Sequence, residues 1–321
     1  MLCSLDSSKV TRKGVMTRRY GAWAAFGPAT TITSTMGCCC GKLPGVPKLH
    51  LCAYEDRWTD IQRLLDEGHD VNESGAKDQV TALHQAAGNG SINAVRILVT
   101  NGAQIDCKSD RGVTPLLLAA LKGHTDVCKY LAEKGASIDT RDAYGWSVVH
   151  FACIRNSVDL VRLAVEHGAD LDARILIDQS TGLHMAALRN YWTLCEVLIQ
   201  NGASVDARTH LEQTPLHYAS LNGCLEAAKV LIDNGADVNA ATLDQNYTPL
   251  HLAVIGNHLL LMELLLDKGA AFNSRDLNDN TPLHLAALSG RYDIFNILLR
   301  NPRFEPIRPA VLELKQQLRI P

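Results

Sequence analysis

Aromatic side chains are scarce in this sequence: Phe, Trp and Tyr together make 5% of its 321 residues, although apolar residues as a whole reach 46%. The apolar material is therefore mostly aliphatic and Ala. That suits close helix packing better than sheet cores, and it is too much for the bulk of the chain to be disordered. No apolar run reaches the roughly 18 residues that a membrane-spanning helix requires. Positive charge is not in excess either. The 31 Lys and Arg face 34 Asp and Glu, a net of -3, which disfavours a nucleic-acid binder driven by bulk charge. The ten cysteines include no CxxC pair, so zinc-ribbon and thioredoxin-type sites have no support. Residues 1–20 lack the apolar core of a secretory signal, and scattered thiols then point to a reducing compartment.

Catalytic signatures are missing as well. There is no HExxH, no GxSxG and no kinase set. The segment Gly37 to Leu43 fails the phosphate-loop pattern twice, in its spacing and in the residue after Lys42. Function has to be argued from a site, and nothing here reads as a catalytic, metal or cofactor site.

What the chain has in abundance is repetition. Thr-Pro-Leu-His stands whole at Thr214–His217, Thr248–His251 and Thr281–His284. Near copies begin at Thr81, Thr114, Ser147 and Thr181, and a degenerate first copy ends at His50. The fourth position falls at 50, 84, 117, 150, 184, 217, 251 and 284, always 33 or 34 residues apart. A second marker keeps the same phase: Gly68, Gly102, Gly135, Gly168, Gly202, Gly235 and Gly269 each follow 18 residues later. Self-similarity at such a period marks a stacked array.

The residue chemistry says what each unit is. Thr supplies a hydroxyl at a helix N-cap, and Pro sits at the first helical position, where its missing N–H costs nothing. Small residues such as Ala86, Ala87, Ala186 and Ala187 let helices approach closely. A second helix carries an aliphatic stripe, as at Val230, Leu231 and Ile232. The Gly after it provides a left-handed stop, and an Asp/Asn-rich stretch makes the turn. Three units carry one extra residue, each time in that turn. Histidines spaced by one repeat form a ladder rather than a cluster, so they read as structural, not as metal ligands.

This pattern resembles the ankyrin repeat family, with copies such as TPLHLAALSGRYDIFNILL and NGADVNA carrying the likeness over residues 47–302. The resemblance implies an all-α solenoid of about eight helix-turn-helix units with β-turn fingers. It implies a monomeric, non-catalytic protein–protein interaction scaffold or adaptor that uses no cofactor. Its partner would be a protein of unknown identity, not a nucleic acid, held in the groove formed by the fingers and the inner helices. Finger candidates are Arg111, Tyr144, Trp146, Ile175, Leu176, Ile177, His210 and Tyr247. Tyr144 and Trp146 are the expected anchors, since aromatics dominate interface energetics. Ile175 to Ile177 either form a sticky contact or pack back on their neighbours. Lys122, Arg155 and Arg189 are expected to form a basic inner row suited to an acidic partner segment. Asn72 and Asn239 look like sites that an asparaginyl hydroxylase modifies in this family, with turn chemistry as the competing explanation.

Outside the array, residues 1–46 are Ser/Thr-rich, and six basic residues there oppose only Asp6. A disordered tail, a mitochondrial-type transit peptide and a leader upstream of the true start all remain open. With a start at Met36, Gly37 becomes a myristoylation candidate beside palmitoylatable Cys38, Cys39 and Cys40, although Gly41 stands where the pattern wants Ser or Thr. Residues 303–321 read as a short C-terminal cap or tail. Two alternatives to a plain scaffold follow. One is a substrate-recruiting adaptor of a ubiquitin ligase, from whose C-terminal box this chain departs. The other is a lipid-anchored, membrane-proximal scaffold. The expected setting is the cytoplasm or nucleus, the membrane if acylated, or the mitochondrion if residues 1–46 direct import.

Overall fold

The computed structural model describes residues 47–75 and 78–300. The lipidation candidates Gly37, Cys38, Cys39 and Cys40 lie outside the described residues, as do the proposed boundaries of the two terminal segments. The described part is eight helix pairs in series. The inner helices are α1 (Lys48–Tyr54), α3 (Ala82–Asn89), α5 (Pro115–Lys122), α7 (Val148–Arg155), α9 (Gly182–Leu188), α11 (Pro215–Asn222), α13 (Pro249–Gly256) and α15 (Pro282–Leu288). Each is followed by an outer helix: α2 (Trp58–Asp66), α4 (Ile92–Thr100), α6 (Thr125–Glu133), α8 (Val158–Glu166), α10 (Trp192–Gln200), α12 (Leu225–Asp233), α14 (Leu259–Asp267) and α16 (Tyr292–Arg300). Inner helices stack on inner helices and outer on outer, and each outer helix also packs on its own inner partner. One apolar core runs from Leu49 to Leu298. No helix among the described residues is long and apolar enough to cross a membrane.

The Ser/Thr–His pair recurs in six of the eight units and organises five of the seven joints. In the units beginning at Thr81, Ser147, Thr181, Thr214, Thr248 and Thr281, the hydroxyl receives the backbone N–H three residues on, while the His at that position reaches back to the cap. In the Thr214 copy the backbone N–H donates to His217 Nδ1 at 3.1 Å. A nitrogen that accepts is unprotonated, so the proton sits on Nε2. That Nε2 donates to the next unit: His84 to Val113 O at 2.9 Å, His184 to Gln213 O at 3.1 Å, and His217 to Tyr247 O at 3.0 Å. One side chain thus starts its own helix and ties down the following turn. The ladder is structural.

The connections need left-handed backbone at three positions per unit. One closes the inner helix, one ends the outer helix, and one lies in the finger. The seven phased glycines all take positive φ at the outer-helix end. The inner-helix stop uses Gly90, Gly123, Asn156, Asn190, Gly223, Asn257 and Gly290, a mixture of Gly and Asn whose common feature is tolerance of that region. In the finger, Gly145 sits at φ +83, and a Cβ there would stand 2.8 Å from Arg174 O.

A second staple crosses each of the first six joints below the finger. Asn72 Oδ1 accepts from Gln104 N at 2.8 Å and Asn239 Oδ1 from Ala271 N at 2.7 Å. Asp106, Asp139, Asp172 and Asp206 do the same in the intervening units. The two Asn side chains also donate to Gly102 O and Gly269 O, which a carboxylate cannot do. Asn72 and Asn239 thus take part in turn chemistry.

Burial pushes His84, His150, His184 and His217 from the ordinary 6.5 down to about 4. Each stays neutral in the folded chain while the unfolded chain takes up protons near pH 6.5. Their contribution is therefore complete above about pH 6.5 and falls as pH drops toward 4. Urea denaturation from pH 7.5 to 4.5 should show stability declining through this window, with a slope approaching four protons. In a separate test at pH 7.5, His184→Leu removes the imidazole's bonds to Thr181 and to Gln213 O and should cost about 1–3 kcal/mol.

Candidate protein-binding surface

The fingers are built from the base upward. At each base a backbone bond closes the hairpin, as from Asp142 N to Trp146 O and from Thr242 N to Tyr247 O. The side chain of the first residue then accepts from the last: Ser109 from Val113 N, Asp142 from Trp146 N, Thr209 from Gln213 N, Thr242 from Tyr247 N and Asp276 from Asn280 N. Ile175 occupies this position in the fifth finger and has no oxygen to offer. There Asp178, nearer the tip, takes the Ser180 N–H at 2.9 Å. Ile175 is free to join the core and is fully buried.

Neighbouring tips are joined by one bond each: Asp110 N to Asp78 O, Ala143 N to Arg111 O, Leu176 N to Tyr144 O, His210 N to Asp178 O, Leu243 N to Leu211 O and Leu277 N to Gln245 O, all 2.9–3.1 Å. The same finger position recurs along this ladder, so equivalent side chains line up.

This placement sorts the sequence-derived candidates. Tyr144, Leu176, Ile177 and His210 are exposed at the tips, and Arg111 is half-buried among them. Trp146 and Tyr247 are not anchors, because only 4% and 7% of their surfaces are accessible. Both sit one residue before the helix cap, where the chain turns into the core. The Trp146 ring stacks on Phe151 with centroids 5.6 Å apart, and Tyr247 lies 5.7 Å from His251. The Ile175–Ile177 trio divides, with its first member packed inward and the other two facing out.

The basic inner residues are not three equivalent free charges. Arg155 Nε donates to Leu121 O at 2.6 Å, capping the end of the preceding inner helix. His124, His258 and Arg291 make the same bond at other joints, to Gly88 O, Leu221 O and Ile255 O. Arg189 buries Nη1 without a hydrogen-bond partner, and Lys122 is half-buried. The sequence reading missed three exposed tip leucines: Leu211, Leu243 and Leu277, of which the last two are 67% and 66% accessible. Their signal is a large aliphatic residue in the finger phase, where Asp, Asn, Gly and Ser are the norm.

A family model described as ankyrin repeats matches three times, over residues 49–142, 149–242 and 240–307. The chain belongs to the ankyrin repeat family. Its repeats form a protein-interaction module. Among solved structures, the human ASB11 ankyrin repeat domain is similar at 28% identity and a TM-score of 0.59, covering 64% of this chain and 92% of that one. Among curated proteins, alpha-latrocrustotoxin-Lt1a of Latrodectus tredecimguttatus is 38% identical over 77 residues. That match takes in 23% of this ankyrin repeat chain and spans only 5% of the relative's length.

The role of Arg155 is open to measurement. Arg155→Met keeps much of the stem but removes the bond to Leu121 O. It should lower stability by about 1 kcal/mol in urea melts, and it should leave partner binding intact.

Proposed function

We propose that this ankyrin repeat chain is a non-catalytic recognition scaffold that holds a protein partner along its row of finger tips and the adjoining groove. The observation that carries this reading is the exposed apolar edge made by Tyr144, Leu176, Ile177, Leu211, Leu243 and Leu277. Scattered single apolar residues are normal on a surface, but a run of them on five neighbouring fingers marks an interaction site. The tips are fixed by the hairpin and ladder bonds before any partner arrives, so little ordering cost is incurred on binding. An adaptor needs no more than this: a rigid edge whose specificity resides in side chains that do not carry the fold.

Six free cysteines among the described residues, five of them buried, support a reducing cytoplasmic setting for the scaffold. Burial pushes the thiols of Cys128 and Cys195 up to about 12, which makes them inert packing groups rather than nucleophiles.

Partners recovered by proximity labelling and then confirmed with purified proteins provide the test. A chain carrying Leu243→Ser and Leu277→Ser should lose roughly tenfold or more in affinity for a confirmed direct partner, with thermal stability unchanged because neither side chain is buried. Retained affinity in this variant would sink the finger-edge reading.

A further inference from the structure

The apolar tips do not stand alone. In the last four fingers each is followed or preceded by a carboxylate: Ile177 by Asp178, Leu211 by Glu212, Leu243 by Asp244, and Leu277 by Asp276. The stretches 170–181, 204–214, 237–248 and 270–281 together hold nine Asp or Glu against three Arg. All three Arg are engaged within the chain. Arg208 pairs with Glu212 at 3.1 Å, Arg275 pairs with Asp279 at 3.0 Å, and Arg174 donates to Arg208 O at 2.5 Å. Asp244 is left with a buried Oδ1 that meets no hydrogen-bond donor among the described residues. The first described tips differ, with Asp78 and the Asp110–Arg111 pair offering no large apolar group.

From this edge we infer the chemistry of the occupant: a basic amphipathic helix of a protein partner, lying across fingers four to eight. The inference rests on the finger-edge reading above and adds the partner's charge and period. The charge follows from complementarity. An apolar ridge bordered by a net negative field excludes acidic segments and favours apolar side chains interleaved with Lys and Arg. The period follows from spacing. Each finger leads into an inner helix, and stacked helices lie about 8–10 Å apart, so successive tips repeat at about that spacing. Seven helical residues rise about 10.5 Å, so a helix with apolar groups every seventh residue keeps step with the tips. This assignment is opposite in sign to an acidic segment held by Lys122, Arg155 and Arg189, of which Arg155 is already bonded to Leu121 O.

Two defined probes test the inference on the full chain. One is a fluorescein-labelled 21-residue peptide with Leu at heptad core positions and Lys elsewhere. The other is its twin with Glu in place of Lys. Fluorescence anisotropy should show the Lys probe binding roughly tenfold or more tighter than the Glu twin, and weakening as salt rises. The pair Leu243→Ser with Leu277→Ser should abolish this difference, and Asp244→Asn should weaken the Lys probe severalfold. In the unsubstituted chain, amide exchange at 176–178 and 243–245 should slow when the Lys probe is present, a readout that needs no variant to fold. Equal affinity for both probes, or protection confined to residues 122–189 of the inner helices, overturns the inference. So does a concentration-dependent dimer lost in the Leu→Ser pair, or uptake by phosphatidylcholine vesicles that exceeds binding of the Lys probe. If neither probe binds but a natural partner is still lost in the Leu→Ser pair, the finger-edge reading stands and the basic-helix assignment fails.

Discussion

The molecule depends on one bifunctional contact, the imidazole that caps its own helix through Nδ1 and holds the next turn through Nε2. A stacked repeat buries its apolar face only against its neighbours, so stability is carried by joints rather than by a central core. Apolar burial supplies the driving force at each joint but fixes no register. The hydrogen bond from one unit's His to the carbonyl before the next unit's cap supplies that register, because its donor and acceptor must meet at one distance and angle. Once it is made, the finger is placed, its tip meets the neighbouring tip, and the exposed edge follows.

The same economy explains what was readable in the sequence. The cap, the His and the glycine after the outer helix are each the consequence of one backbone requirement met seven times, so their phase shows through divergent filling. The all-α solenoid, its unit length and the confinement of insertions to the turns were all legible on that basis. The fingers were legible as loops but not in their facing. Whether a finger residue points in or out changes within one step along the chain, and residue type does not settle it. Trp146 and Tyr247 are aromatics of the kind that anchor interfaces, yet their position faces their own core. Leu243 and Leu277 are aliphatics of the kind that fill cores, yet theirs faces outward.

Ile175 shows how a local exchange can hide such a boundary. Every other well-described base from the third finger onward carries an oxygen that closes the hairpin. Losing it would leave a buried N–H unpaired, and that loss is offset by Asp178 reaching back from the tip. The exchange needs knowledge of two positions together, which a scan of single residues cannot supply. Arg155 is a similar case. Its charge suggested a partner, whereas its reach to the preceding helix end makes it part of the frame.

One joint is made differently. The third unit carries Leu117 where the others from the second onward carry His, and Leu117 is fully buried. The corresponding carbonyl, that of Trp146, closes its own finger by accepting from Asp142 N, as the equivalent carbonyls do at the other joints. Between the third and fourth units other bonds span the gap: Arg155 Nε to Leu121 O, Asp170 N to Asp139, and Arg141 to Asp170. The joint falls where the tips change from charged to apolar. With no imidazole at that position, it is spared the histidine protonation that weakens the joints on either side as pH falls toward 4.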